Sequence, residues 1–362
     1  MSKTDNQNKG NINKKPKTKV QKAIKVILII LITLVVLVAG VFVGGWTYIQ
    51  SMLGEMKQET IDENAVGIDN ETANELKDYK NIALLGIDSR ADDYGLGNRS
   101  DCIIIASINE KTNDVKLISV YRDTYLQLVE NGTTKLDKVT HAYAFGGAQN
   151  TLLALNTNLD LNIKQYLTVN FDTVITAVDA IGGVNIKIEN DELKYINEYI
   201  DATSASSGIT STHISSAGNQ KLDGVQAVAY SRIRYTTGGD YKRTERMRTV
   251  VEAMVTKAKT LGATKLISVA NTILPHVSTN ISSTEIISLI PTLMKVNFTD
   301  SMGWPYTTKG KTMDRWYGIP TTLETNVTKL HKEVFGQSDY TLPSTIKSIS
   351  DQIVKKTGYT AE

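Results

Sequence analysis

The chain has 362 residues, 41% of them hydrophobic and 22% charged, a composition that excludes a wholly disordered or fibrous protein. Its formal charge of +2 hides an asymmetry: residues 1–25 hold eight Lys and one Asp, a local +7, so the remainder sums to −5. A net-acidic body excludes general polyanion binding, nucleic acid included, and any anion site must be local.

Taken in order, residues 1–25 read as a polar, basic tail with nothing apolar to bury. Residues 26–49 run for 24 positions without a charge, about 36 Å as a helix, enough to cross a bilayer. No A-x-A-like cleavage site follows, so the segment reads as an anchor rather than a signal peptide. Lysines crowd its N-terminal side and the first charge beyond it is Glu55. The tail is therefore expected in the cytoplasm and the rest outside the cell membrane. Residues 50–78 read as an extracellular stalk, and the folded body is expected over 79–362.

Within the body, the β-branched runs at 81–88, 102–108 and 115–120 predict strands of a buried sheet. Helices are expected over 137–157, interrupted at Gly146 and Gly147, and over 171–181, ending at Gly182. Strands flank the second helix at 166–169 and 184–188. The Ser-, Thr- and Asn-rich stretch 190–220 reads as a surface insertion, followed by helices over 223–232, 243–262 and 283–295. The alternation argues for an α/β fold, a central mixed sheet flanked by helices and preceded by one transmembrane helix. A single cysteine, Cys102, excludes an intrachain disulfide framework, and zinc spacings and the H-E-x-x-H and G-x-S-x-G motifs are absent.

The placement of arginine is the most informative feature. Of nine, eight lie in two windows: Arg90, Arg99 and Arg122, and then Arg232, Arg234, Arg243, Arg246 and Arg248. Arginine holds an anion in fixed, often bidentate geometry, whereas lysine serves as a solvated charge. Asp88 and Arg90, like Arg122 and Asp123, follow directly on predicted strands, where α/β sheets place ligands. Carboxylates interleave with the arginines, the mixture a phosphate site needs if a hard divalent ion shares it. The competing reading is a set of ordinary surface ion pairs.

Seven ordered blocks then carry a resemblance: L-L-G-I-D-S-R (84–90), N-R-S-D (98–101), S-V-Y-R-D (119–123), K-L-D-K-V-T-H-A-Y-A-F-G-G (135–147), V-D-A-I-G-G-V (178–184), L-D-G-V-Q-A-V-A-Y-S-R-I-R (222–234) and D-Y-K-R-T-E-R (240–246). The chain resembles the LytR-CpsA-Psr family of membrane-anchored cell-wall enzymes. The resemblance implies transfer of a glycopolymer, such as teichoic acid or capsular polysaccharide, from a polyprenyl-pyrophosphate carrier to peptidoglycan, with release of polyprenyl phosphate. It implies Mg2+, or Mn2+ in its place, on Asp88 and Asp101. It also implies a pyrophosphate grip by Arg90, Arg99, Arg122, Arg232, Arg234, Arg243 and Arg246. Catalysis is expected from Arg99, Asp101, Arg122, Arg232 and Arg234, with the general base left open between Asp101 and Asp123. Two departures stand out. Tyr121 replaces the family proline, expected to change only backbone stiffness, and Met247 replaces a glutamine on the expected phosphate side. An apolar groove for the prenyl chain is expected along helices 171–181 and 243–262. Alternatives are a polyprenyl-pyrophosphate pyrophosphatase and a non-enzymatic binder of wall polymer or lipid.

Overall fold

The predicted strands pair side by side because each carries apolar residues on both faces, the pattern of a sheet covered twice. The computed structural model describes residues 57–89, 93–282, 285 and 295–361. The anchor at 26–49, Arg90 and most of the helix expected at 283–295 lie outside the described residues. Among the described residues, no helix is long and apolar enough to cross a membrane.

In chain order the elements are β1 (Lys57–Gln58), α1 (Asn70–Glu75), β2 (Tyr79–Ile87), β3 (Ser100–Asn109), β4 (Asp114–Val120), β5 (Tyr125–Glu130), β6 (Thr133–Lys138), α2 (His141–Leu159), β7 (Gln165–Asn170), α3 (Phe171–Ala180), β8 (Val184–Ile188) and α4 (Asn190–Ser207). There follow β9 (Gly218–Leu222), α5 (Gly224–Arg232), α6 (Gly239–Ala258), α7 (Ala263–Ile273), β10 (Ser278–Thr279), β11 (Asn297–Phe298), β12 (Met302–Trp304), β13 (Thr308–Thr312), β14 (Trp316–Pro320), α8 (Leu323–Phe335) and α9 (Ser344–Thr357). The central sheet runs β1-β10-β7-β2-β3-β4-β11, with β12 also on β4. It is mixed: β2 is antiparallel to β3 and parallel to β7.

Alternation along β2 divides the core. Ile82 and Leu84 face a layer built by α3 to α7, while Ala83, Leu85 and Ile87 face α2, α8 and α9. Residues 302–359 thus complete the second layer, through Val327, Leu330 and Ile349 among others. His331 belongs to this layer: its ring stacks on Tyr340 and its Nε2 lies 3.0 Å from the Leu159 carbonyl oxygen.

Two expectations are corrected. From Lys57 onward the supposed stalk is part of the body: β1 pairs with β10, and Val66 and Leu76 are fully buried. Its few apolar residues were too sparse to show a period, yet each fills a place in the core. The supposed insertion at 190–220 is the 18-residue helix α4 plus β9. A capping box of Glu189 and Glu192 starts α4. Its inner face is Glu192, Ile196, Ile200 and Thr203, only two of them apolar, so composition concealed the helix. The break expected in α2 is present at Gly146 and Gly147, where the backbone leaves helical geometry.

Candidate functional site

The site grows from the ends of β2, β3 and β4. Pairing runs Gly86↔Cys102 and then Ile87↔Ser100, so Asp101 is the extra residue of a β-bulge. Such a residue leaves the ladder and its side chain is re-aimed. Arg122, just past β4, donates from Nη1 to Oδ2 of Asp101 at 2.5 Å, and its Nε lies 3.8 Å from Oδ2 of Asp123. Lys138 holds Oδ1 of Asp123 at 2.6 Å. Thr140 ties the strand ends together: its N–H donates to the Arg122 carbonyl at 3.1 Å and its hydroxyl to that of Ser100 at 2.9 Å.

The second arginine window arrives from the loop between α5 and α6. Nε of Arg234 lies 3.7 Å from Oδ1 of Asp240, and Nη2 of Arg243 lies 2.9 Å from the same oxygen and donates to Oδ2 at 3.1 Å. Electrostatics shows that the windows meet. Burial raises the Asp101 carboxyl above its ordinary range; Arg122 pulls it down, Asp88 pushes it up, and Arg234 and Arg99 pull it down again. Asp240 is likewise raised by burial, and feels Arg234, Asp123, Arg122 and Asp101 in turn. Residues more than a hundred positions apart therefore form one charged cluster.

The arginines differ in what they have left to offer. Arg99 is exposed and Arg234 half-exposed. Arg232 sits to one side, donating to the Thr203 hydroxyl at 2.8 Å with its guanidinium 5.4 Å from the Phe171 ring centroid. Arg246 does not reach the cluster surface. It is 1% exposed and donates to Glu192 at 2.7 Å, to the Ile233 carbonyl at 2.9 Å and to the Thr236 hydroxyl at 2.6 Å. Its bonds to Ile233 and Thr236 fasten the loop that carries Arg234. Arg243 is also buried, with Asp240 as its acid. Arg248, outside the expected set, is 8% exposed, and its Nη1 is buried without a hydrogen-bond partner among the described residues. Burial depresses its ordinarily very high pKa. Its place in the arginine-rich run was the available signal.

Beside the cluster lies an apolar cavity of about 80 Å³, walled by Leu84, Cys102, Phe171, Val174, Met247 and Met254 among others, with Asp101 also in its wall. It is lined in part from α3 and α6, the helices along which an apolar groove was expected. Met247 is part of its wall. Burial pushes the Cys102 thiol up to about 12, which removes it as a nucleophile at neutral pH.

A second cavity, of about 250 Å³, begins next to Arg122, at Tyr121, Asp123 and Asp240. Tyr121 does more than alter backbone stiffness. Its ring occupies the space a side chain at Gly303 would need, since an added Cβ there would meet the phenol oxygen at 1.9 Å. The ring also meets Tyr241 edge-on at 4.5 Å between centroids.

Asp88 is exposed and close enough to raise Asp101. Two like-charged oxygen donors, one desolvated, fit a hard divalent cation. No group of three or more His, Cys, Asp or Glu gathers for a metal among the described residues, so such an ion would draw its remaining ligands from water and phosphate.

A mixed sheet between two helical layers, with an arginine and carboxylate cluster at its strand ends, defines the class. The chain belongs to the LytR_cpsA_psr family, whose profile matches residues 43–329. It is 31% identical over 259 residues, 69% of this chain and 78% of the relative, to the polyisoprenyl-teichoic acid–peptidoglycan teichoic acid transferase TagU of Bacillus cereus. To the TagU of Enterococcus faecalis it is 35% identical over 188 residues, 52% of this chain and 56% of that one. Among solved structures, the LytR-CPS2A-psr family protein YwtF (TagT) with bound octaprenyl pyrophosphate lipid superposes with a TM-score of 0.52 at 23% identity, covering 72% of this chain and 92% of that one. At that identity the likeness is one of fold.

Proposed function

We propose that this chain is a membrane-anchored phosphotransferase that moves an anionic glycopolymer, a teichoic acid or a capsular or wall polysaccharide, from a polyprenyl-pyrophosphate carrier to peptidoglycan. The observation that carries this reading is the adjacency of two unlike environments. Arg122 bonds Asp101, Arg234 and Arg99 pull on its carboxyl electrostatically, and Asp101 is also part of the apolar cavity wall. A pyrophosphate needs the first and a prenyl chain the second. The activity named for the TagU relatives and the lipid bound by YwtF (TagT) on the same fold support the same substrate class.

In this reading the isoprene unit next to the pyrophosphate enters the apolar cavity among Leu84, Phe171, Val174 and Met254. Arg99, Arg122 and Arg234 hold the non-bridging oxygens, with Arg232 beside them, Arg243 steadying Asp240 and Arg90 adding to the same grip. A sugar hydroxyl of the acceptor attacks the phosphorus next to the glycopolymer. A new phosphorus–oxygen bond forms, the bond to the departing polyprenyl phosphate breaks, and the hydroxyl proton passes to a carboxylate on the second-cavity side, Asp123 or Asp240. The arginines meet charge as it develops on the phosphoryl oxygens, the interaction that lowers such barriers most. Asp88 and Asp101 would hold Mg2+ or Mn2+, which when bound supplies further neutralisation of phosphate charge. Residues 26–49 would keep the body outside the cell and near its membrane-borne substrate, at high effective concentration.

The test is product analysis. Full-length protein in liposomes, given polyprenyl-pyrophosphoryl glycopolymer and peptidoglycan, should yield glycopolymer joined to peptidoglycan by a phosphodiester, plus polyprenyl phosphate. Products of water attack alone, whether or not acceptor is added, would make it a pyrophosphatase. No turnover with lipid still bound would leave the binding module.

A further inference from the structure

The second cavity is built unlike the first. Tyr121, Tyr241 and Trp316 bring aromatic surface, Asp123 and Asp240 bring carboxylates, and no cationic side chain lines it among the described residues. Trp316 stands on β14 across the hairpin from β13. An added Cβ at Gly310 would meet its Nε1 at 2.9 Å, so the indole rests against that glycine on one side, and 43% of the residue stays exposed. Tyr241 is 39% exposed. Large aromatic surfaces are seldom left open beside carboxylates in a concave site unless a ligand with an apolar face and many hydroxyls covers them. A sugar ring has both. Asp123 is paired with Lys138 and Arg122, and Asp240 with Arg243 and Arg234, and each carboxylate keeps further lone pairs that can accept from a hydroxyl.

Position adds the role. Arg122 bonds Asp101, in the wall of the apolar cavity, and adjoins Asp123, in the wall of this one. A phosphoryl group held at Arg122 would therefore lie beside both the apolar cavity and this one, within reach of an entering sugar hydroxyl.

We propose that the second cavity is the acceptor subsite, seating a pyranose ring of a neutral glycan chain against Trp316 and Tyr241 with Asp123 and Asp240 accepting hydrogen bonds from its hydroxyls. This rests on the transferase reading for its role, but sugar binding can be measured apart from it. The first sugar of the donor shares this chemistry, and the experiment separates the two sources.

Chitotetraose is titrated calorimetrically into the full chain in detergent micelles, as wild type, Trp316→Ala and Trp316→Phe, with thermal melts run alongside. Loss of one stacking ring should weaken binding about tenfold in Trp316→Ala, and Trp316→Phe should recover most of it. Absence of binding to the wild type, or equal binding by a folded Trp316→Ala, overturns the subsite. Repeating the wild-type titration with the lipid-linked donor present distinguishes the sources. Undiminished chitotetraose binding supports the acceptor assignment; displacement assigns the cavity to the donor's own sugar and overturns it. A separate titration with polyprenyl phosphate reports on the transferase reading, and its failure would leave the sugar result intact.

Discussion

Arg122 and Arg246 belong to equally conspicuous sequence motifs and meet opposite fates. Arg122 emerges at a strand end, keeps part of its guanidinium in contact with solvent and shares its acids with the walls of two cavities. Arg246 is buried on α6, and every nitrogen of its guanidinium is committed to Glu192, Ile233 or Thr236. The difference teaches that a run of arginines identifies where anion chemistry and its scaffold lie together, and that only an accounting of partners separates them. An arginine buried with each of its three nitrogens bonded inside the protein presents none of them to a phosphate.

That contrast can be broken most forcefully at Arg246. Removing it leaves the Glu192 carboxylate buried without its cation, so Arg246→Ala should lose about 3–5 kcal/mol of stability in chemical denaturation. Replacing both partners by apolar residues, Glu192→Leu with Arg246→Met, should return most of that loss. If Arg246→Ala instead unfolds like the wild type yet fails to bind polyprenyl phosphate, the residue is a ligand group and the distinction fails.

Arg122→Ala should behave in the opposite way. Transfer should fall about 100- to 1000-fold with a melting temperature far less disturbed than that of Arg246→Ala, as read by product formation and calorimetry in the same buffer. A collapse of the fold with this substitution would move Arg122 to the architectural group. The mildest probe is Cys102, the single cysteine of the chain, set in the apolar cavity wall. Its thiol, pushed up to about 12 by burial, should react with maleimide far more slowly at pH 8 than free cysteine. Polyprenyl phosphate should slow the reaction further. Labelling unaffected by the lipid would place the prenyl chain elsewhere.

How legible each part was depended on whether its signal was local. β2, β3, β4, α3 and α5 were readable because continuous apolar runs and their turn residues lie within a few positions of one another. α4 was not, since half of its inner face is polar and Glu192 is buried only because Arg246, 54 residues away, supplies its partner. The residues 57–78 were misread for a similar reason: Val66 and Leu76 are buried by elements far along the chain. Tyr121 looked like a matter of backbone stiffness until Gly303 was seen to make room for its ring. Arg248 was passed over because nothing in its neighbourhood distinguishes a desolvated guanidinium from a surface one.

What the amino-acid order determined by itself was the inventory: an uncharged stretch long enough to span a bilayer, an alternation of strands and helices, and arginines and aspartates concentrated at strand ends. Those properties follow from period, length and residue chemistry, which act over one or two turns of chain. The tertiary structure decided which arginines remain near the surface to hold an anion, that the two acids beside Arg122 belong to the walls of an apolar cavity and an aromatic one, and that Asp101 leaves its strand at a bulge. These depend on burial and partnership between distant segments, and burial alone decides whether a charge is an instrument or a strut.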